Sequence, residues 1–479
     1  MPSHGSRASI RVVLELLAAT LSLLIAPYYS IQTRAAVVDP DIWWHIRVGD
    51  WITSHGSVPR AGIFSQYADR PWVAYSWLFD VLVSSVNRVY GLVGIVGLLI
   101  CFQVLVSLVF VVAVRRVARG TLWVWPVAAA AIYAFYINPL RPALFTLLFF
   151  TVQLFIIFEA ERRRDDGLLW WMGPLFVFWA NSHLQFVYGM CVLVLYVLAR
   201  KAQPRMVALL ALAVVCSCLG PNGWLPYRVA LEYAGSIAHY QVIQELGPLS
   251  FRRPEHFAQL LLLMAACVVL GRSARLDPFR SLLVGVTAVV SFRAMRDSWF
   301  VSIASAFVIA EGLGSSRSLG ASHDVPPLIR PSVLYALAAA LSLVVSFGLA
   351  TRQGLSTRDL VAVIERIYPL GATEFVKQSR LEGPMYNDFN WGGFLMYRLP
   401  EHPVSIDPRA DLYGHQIFAR AQATARAEGW QSDPDVARAN FLLIPRWYPL
   451  AAGLARDRRF RLIYQDHVAA VFARAVPAQ

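Results

Sequence analysis

Apolar runs of roughly 15 to 24 residues alternate with short Arg-rich loops along most of the chain, a pattern that predicts a series of membrane-spanning helices. The runs lie near 12–30, 91–114, 121–137, 142–158, 168–181, 184–199, 206–220, 257–271, 279–292, 298–314 and 331–350, so about eleven spans are expected. Segment 74–90 is also apolar but carries Asp80, Asn87 and Arg88, which suits a helix lying in the interface better than one crossing it. After residue 350 the period shortens. Pro403–Ile406, Asn440–Ile444, Phe460–Tyr464 and Val468–Phe472 read as strands, the last two as a hairpin around Gln465, Asp466 and His467. Helical patterns occupy 358–380 and 414–429. The expected organisation is a transmembrane domain over 1–350, with a first outer loop at 31–90, followed by a small soluble α/β domain over 351–479.

Loop charge orients this layout. With the N-terminus in the cytoplasm, the inner loops 115–119, 162–164, 200–205, 272–280 and 317–330 are all basic, as the positive-inside rule requires. The other face then receives Asp39–Arg88, Asn138–Pro142, Asn181–His183, the loop 221–256, Arg293–Asp297 and the soluble tail. Arg7 and Arg11 precede the first run as they would in a signal peptide, but no small-x-small cleavage site follows, so a retained span is expected.

Composition narrows the class. The chain is 57% hydrophobic and 15% charged, against about 25% charged for a soluble protein. Its net charge of +13 does not point to nucleic acid, because the basic residues sit in loops between apolar runs rather than along one soluble face. Cys101, Cys191, Cys216, Cys218 and Cys267 all fall in apolar segments, which speaks against a disulfide framework or a zinc site.

The densest chemistry is Asp39-Pro40-Asp41-Ile42-Trp43-Trp44-His45, just past the first span. Asp39 suits a helix cap and Pro40 a first helical position, with Gly56 ending the helix. Asp41 lies three and four residues before Trp44 and His45, on one helical face. Beside indoles its pKa would rise, and it could serve as a base, or with His45 hold a divalent cation (Mg or Mn) against a phosphate. Trp43 and Trp44 fit an interfacial belt or a sugar platform. Arg141, between Pro139 and Pro142, is either a snorkelling anchor or a rigid phosphate contact. Asn181 and His183 form either an internal polar pair or a substrate contact. Arg293 and Arg296 stand on an outer turn against the charge bias, so an anion belongs nearby: Asp297, the first-loop acids or a lipid phosphate. In the tail, Asn387–Gly393, with Asp388, and Asp407–Gly414, with Arg409, combine polar and aromatic residues. They suit either turn chemistry with Asp–Arg pairing or a grip on sugars.

The order of an acidic first loop, an interfacial helix, many spans and an outer domain resembles the GT-C superfamily of membrane glycosyltransferases. It is most similar to bacterial proteins of the dolichyl-phosphate-mannose mannosyltransferase and lipid A aminoarabinose transferase type. Asp39-Pro40-Asp41 sits where their acidic motif would be, although a proline separates the acids and Arg60 stands where those proteins commonly have an acid. The resemblance implies a multi-pass protein of the bacterial cytoplasmic membrane with an extracytoplasmic tail. It would move a sugar from a polyprenyl-phosphate donor to a glycan, lipid or protein acceptor, with inversion. Asp41 is then the base, assisted by Asp39 or a metal, and Arg141 with Arg293 or Arg296 holds the phosphate. Two other readings remain: a lipid-linked glycan transporter or flippase, which the spans' lack of mid-membrane acids disfavours, and a non-catalytic assembly protein that would tolerate loss of Asp41.

Overall fold

The computed structural model describes residues 4–135, 139–235, 244–273, 275–317 and 329–475. Asn138 lies outside them. The chain divides into two compact units: Met1–Thr33 with Gly97–Ala230 and Ile243–Gln353, and Arg34–Val96 with Leu231–Val242 and Gly354–Gln479. The second unit thus joins most of the first loop to the tail.

The first unit is helical, and the protein is a multi-pass membrane protein. Among the described residues six helices are long and apolar enough to cross a membrane: Ser9–Thr33, Trp77–Val117, Ala143–Arg163, Pro254–Gly271, Met295–Ser315 and Pro331–Arg352. The other five expected spans are helices of only 11 to 16 described residues, or about 16–24 Å at 1.5 Å per residue, against a hydrocarbon core of about 30 Å. The expected count of eleven therefore overstates what length and composition support. Met295–Ser315 is the most enclosed of the six and packs against Pro254–Gly271. The first helix runs along Pro331–Arg352, and Gln103 donates to Ser30 at 2.6 Å within the buried interior. Arginines of the basic loops are neutralised locally: Arg115 by Glu15 at 2.6 Å, Arg162 and Arg163 by Glu159, and Arg280 by Glu311 at 2.7 Å.

The Trp77–Val117 helix breaks at Gly91 (φ 57°, ψ −152°), where the expected interfacial segment gives way to the expected span.

The second unit holds a four-stranded sheet in the order β1-β2-β4-β3, from Met385–Asn387 (β1), Phe441–Pro445 (β2), Phe460–Gln465 (β3) and Ala469–Arg474 (β4). β1 runs parallel to β2, and the other pairs are antiparallel. β2 is buried at every position, as befits a strand covered on both faces. Leu442, Ile444, Leu450, Leu454, Trp430 and Phe472 form the core beside it. Two expectations change. Pro403–Ile406 is not a strand, since Val404 makes a single bridge to Ser65. β1 forms instead from the start of the Asn387–Gly393 motif.

Candidate active site

The first-loop turn is built as its sequence suggests. Asp39 accepts a hydrogen bond from the Asp41 backbone N–H at 3.0 Å, which spends one carboxylate on starting the Asp41–His55 helix. Gly56, at φ 64°, closes that helix by donating to Ile52 O. Asp41 is partly exposed in the first turn, where the helix dipole favours an anion. Behind it the helix is buried. Trp43 is 1% exposed and packs edge-on to Tyr368 and Phe394, so it is neither a membrane belt nor a sugar platform. Trp44 is buried too, while the exposed indoles among the described residues are Trp123, Trp170, Trp171, Trp224 and Trp447.

Two adjacent glycines set the position of this helix. A Cβ on Gly393 would lie 2.8 Å from Pro40 O and 3.3 Å from Trp44 N, and one on Gly392 would lie 2.2 Å from Ile406 O. The Gly392–Arg398 helix can therefore wedge between the Asp41 turn and the backbone leading to Asp407.

A contiguous buried polar chain follows. His45 Nδ1 is 2.5 Å from Asp80 Oδ1, both side chains being almost fully enclosed. Trp44 stacks on His45 at 3.6 Å and meets Trp72 edge-on at 6.2 Å. The Arg409 guanidinium lies over Trp72 at 4.7 Å. Arg409 is in turn bound by Asp407 through two bonds of 2.9 and 2.8 Å, and Asp407 also accepts from the Tyr413 hydroxyl at 2.5 Å. Tyr413 reaches Ser65 at 3.0 Å, and Arg409 donates to Ile63 O. Trp44 Nε1, Asp80 Oδ2 and Arg409 Nη1 are buried without a hydrogen-bond partner among the described residues. Such atoms mark where ordered water or a polar ligand is taken up.

Asn387 ties two backbone segments together, donating to Ile406 O and accepting from Ser405 N. Asp388 caps the next turn through Asn390 N at 3.0 Å and accepts from the Tyr448 hydroxyl at 2.8 Å. Burial pushes its pKa up to about 6 despite those bonds, and burial likewise pushes Asp411 up to about 6. Asp388, Asp407 and Arg409 thus make turn contacts and internal pairs. The Asp407–Arg409 pair has no exposed side-chain surface.

The remaining candidates lie in the first unit. Arg141 donates to both carboxylate oxygens of Glu245, at 3.0 and 2.8 Å. Arg296 is electrostatically coupled to Glu245, Asp297 and His183. Arg293, which is exposed, is coupled to Asp297. Asp297 accepts from Gln185 at 2.5 Å and Tyr188 at 2.8 Å. His183 meets Thr146 at 2.8 Å, and Thr146 also accepts from Trp179. Burial first, then the Arg296 charge, push the His183 pKa well below its ordinary value, so the ring is neutral at pH 7. Asn181 donates to Val177 O and Leu219 O, both at 2.8 Å, and so holds a turn in place.

Asp80, Trp72, Ser65 and Glu245 escaped the sequence analysis as site residues. Only Asp80 carried a signal, as an acid on an apolar helix. Among the described residues no group of three or more His, Cys, Asp or Glu side chains is arranged to hold a metal ion, and His45 is engaged by Asp80. The residues present do not fit the divalent cation considered at Asp41 and His45, so no step below passes through one.

No family model matches the chain, and no curated protein matches it. Among solved structures it is similar to ArnT from Cupriavidus metallidurans bound to undecaprenyl phosphate, with a TM-score of 0.50 and 14% identity over 98% of each chain. The chain has a GT-C-like fold. At that identity the likeness speaks for the fold alone. Within this GT-C-like fold, the acidic turn, the Gly91-broken helix and the C-terminal sheet appear in the chain order that the resemblance implied.

Proposed function

We propose that the protein is an inverting glycosyltransferase that moves a sugar from a polyprenyl-phosphate donor to a glycan, lipid or protein acceptor at the outer face of the bacterial cytoplasmic membrane. The fold shared with ArnT, a protein solved with undecaprenyl phosphate, supports the donor class. The observation that carries the assignment of the base is the division of labour in the first loop. Asp39 is buried and accepts from the Asp41 backbone, whereas the Asp41 side chain is partly exposed in the first turn, where an acceptor hydroxyl could reach it.

Asp41 removes the proton of the acceptor hydroxyl, and the oxygen forms a bond to the anomeric carbon. The bond from that carbon to the phosphate oxygen breaks, and polyprenyl phosphate leaves with the electron pair. A phosphate leaves without protonation, so one carboxylate suffices, unlike the pair a glycosidase uses. Arg141 with Arg293 or Arg296 is the candidate holder of the lipid phosphate. His183 and Asn181 hold the surrounding turns, while the His45–Asp80 pair and the Arg409 cluster hold the Asp41 helix.

The test compares wild type with Asp41→Asn, matched for stability, in nanodiscs, following polyprenyl phosphate release from a panel of lipid-phosphate sugars with and without EDTA. Turnover should fall about 10²–10⁴-fold, the usual worth of a general base. Equal turnover in the two proteins would remove Asp41 from the mechanism.

A further inference from the structure

Arginines on an outer turn need an anion, and the structure supplies two of different kinds. Asp297 is 4% exposed and locked by Gln185 and Tyr188. Its carboxylate cannot leave without stranding the buried Gln185 amide. Glu245 differs. Its side chain is 45% exposed and sits on a single 3-10 turn, Gln244–Leu246, with both oxygens turned to Arg141. The backbone just beyond is tethered: Gly247 O accepts from Met295 N at 2.8 Å, and Leu249 N donates to Phe292 O at 3.3 Å. The peptide is anchored while the side chain projects to the surface, so the carboxylate can rotate away without the loop unfolding. Partial burial raises the Glu245 pKa, but the Arg141 and Arg296 charges lower it by more, so it is an anion at neutral pH.

We infer that Glu245 is a built-in stand-in for a phosphate ester: it occupies the anion seat on Arg141 and Arg296 in the ligand-free protein and is displaced when a phosphate headgroup arrives. A carboxylate and a phosphate present the same pair of oxygens to a guanidinium, so the two exclude each other there. With Glu245 seated, its carboxylate offsets charge on Arg141 and Arg296; when it swings away, that charge is offered to a phosphate. Only an anion able to outcompete a carboxylate would open the seat. This rests on the lipid-phosphate donor proposed above.

The experiment uses the full chain in zwitterionic nanodiscs. Undecaprenyl phosphate and, separately, inorganic phosphate are titrated into wild type, Glu245→Gln, Glu245→Ala and Arg141→Gln, compared at matched thermal stability. Losing a half-exposed ion-pair competitor should tighten undecaprenyl phosphate binding about three- to fivefold in both Glu245 variants. Arg141→Gln should weaken binding, and Glu245→Gln should give no gain in that background. A gain seen only with inorganic phosphate keeps the seat and names free phosphate as its occupant. Unchanged or weaker binding of both probes by both Glu245 variants overturns the inference alone, provided wild type binds. If wild type binds neither probe, the inference and the lipid-phosphate donor fall together.

Discussion

Asp388 shows how a turn residue acquires a titration. Its carboxylate is buried at the head of a turn, where two hydrogen bonds only partly replace water, and its pKa is pushed up to about 6. A buried acid with a raised pKa costs stability when charged. Between its ordinary value near 4 and about 6, the folded protein holds the proton more tightly than the unfolded chain. Asp388 therefore contributes stability as pH falls through that window and loses it as pH rises. Asp388→Asn keeps the shape and the acceptor for Tyr448 but removes the charge. It should raise stability relative to wild type at pH 7.5, by at most about 3 kcal/mol, and the gain should shrink as pH falls through the window and vanish only below the ordinary value near 4. A gain independent of pH, in thermal unfolding followed by intrinsic fluorescence, would contradict this. The Asp407–Arg409 pair was legible as one of two options, because acid and base two residues apart in a turn readily meet. Tyr413, six residues on, and Ser65, from a remote loop, were not, since nothing local marks them as partners of Asp407. The anion expected near Arg293 and Arg296 was legible as a need. Asp297, named as a candidate for it, is coupled to both arginines; Glu245, which adds a second anion beside Arg296 and pairs with Arg141, sits about 50 residues upstream in a loop without periodicity.

Among the elements, helix ends were the most readable. Gly56 and Gly91 act through their own backbone and Asp39 through a side chain that reaches only two residues on, so local chemistry announces them. β1 was missed because three residues are too few to show an alternation, and it exists only because β2 accepts it as a parallel neighbour. Gly392 and Gly393 close the Asn387–Gly393 motif, which read as turn chemistry or a grip on sugars. Their task is close approach, which depends on segments hundreds of residues away. Gly393→Ala should push against Pro40 O and Trp44 N, costing about 1–3 kcal/mol in thermal unfolding. The same change should shift the Asp41 turn, lowering kcat of the proposed reaction more than the Asp41-independent binding of undecaprenyl phosphate. A variant with wild-type stability and turnover would show that the wedge has slack.

For the whole molecule, the basic loops propose an orientation that can be tested directly. In a protein freed of native cysteines, Trp447→Cys, an exposed site in the tail, should react with a membrane-impermeant maleimide added to intact cells. Arg163→Cys, on a basic loop, should react only after permeabilisation. The reverse pattern would place the tail, and the acidic turn with it, on the cytoplasmic face.

Sequence by itself determined that the chain is a multi-pass helical protein with an acidic turn after its first helix and a small β-containing tail. Hydrophobic period, loop charge and capping residues are local properties, read a few residues at a time. Tertiary structure decided which of those polar residues serve chemistry and which serve packing. It spent Asp39 on a cap, sealed Trp43 in a core, paired Arg409 with Asp407 and Arg141 with Glu245, and set Asp80 against His45. Each of those outcomes turns on the loss of water around a charge or a ring. Burial is settled only when distant segments close over the site, and so it has no signature in the residues on either side.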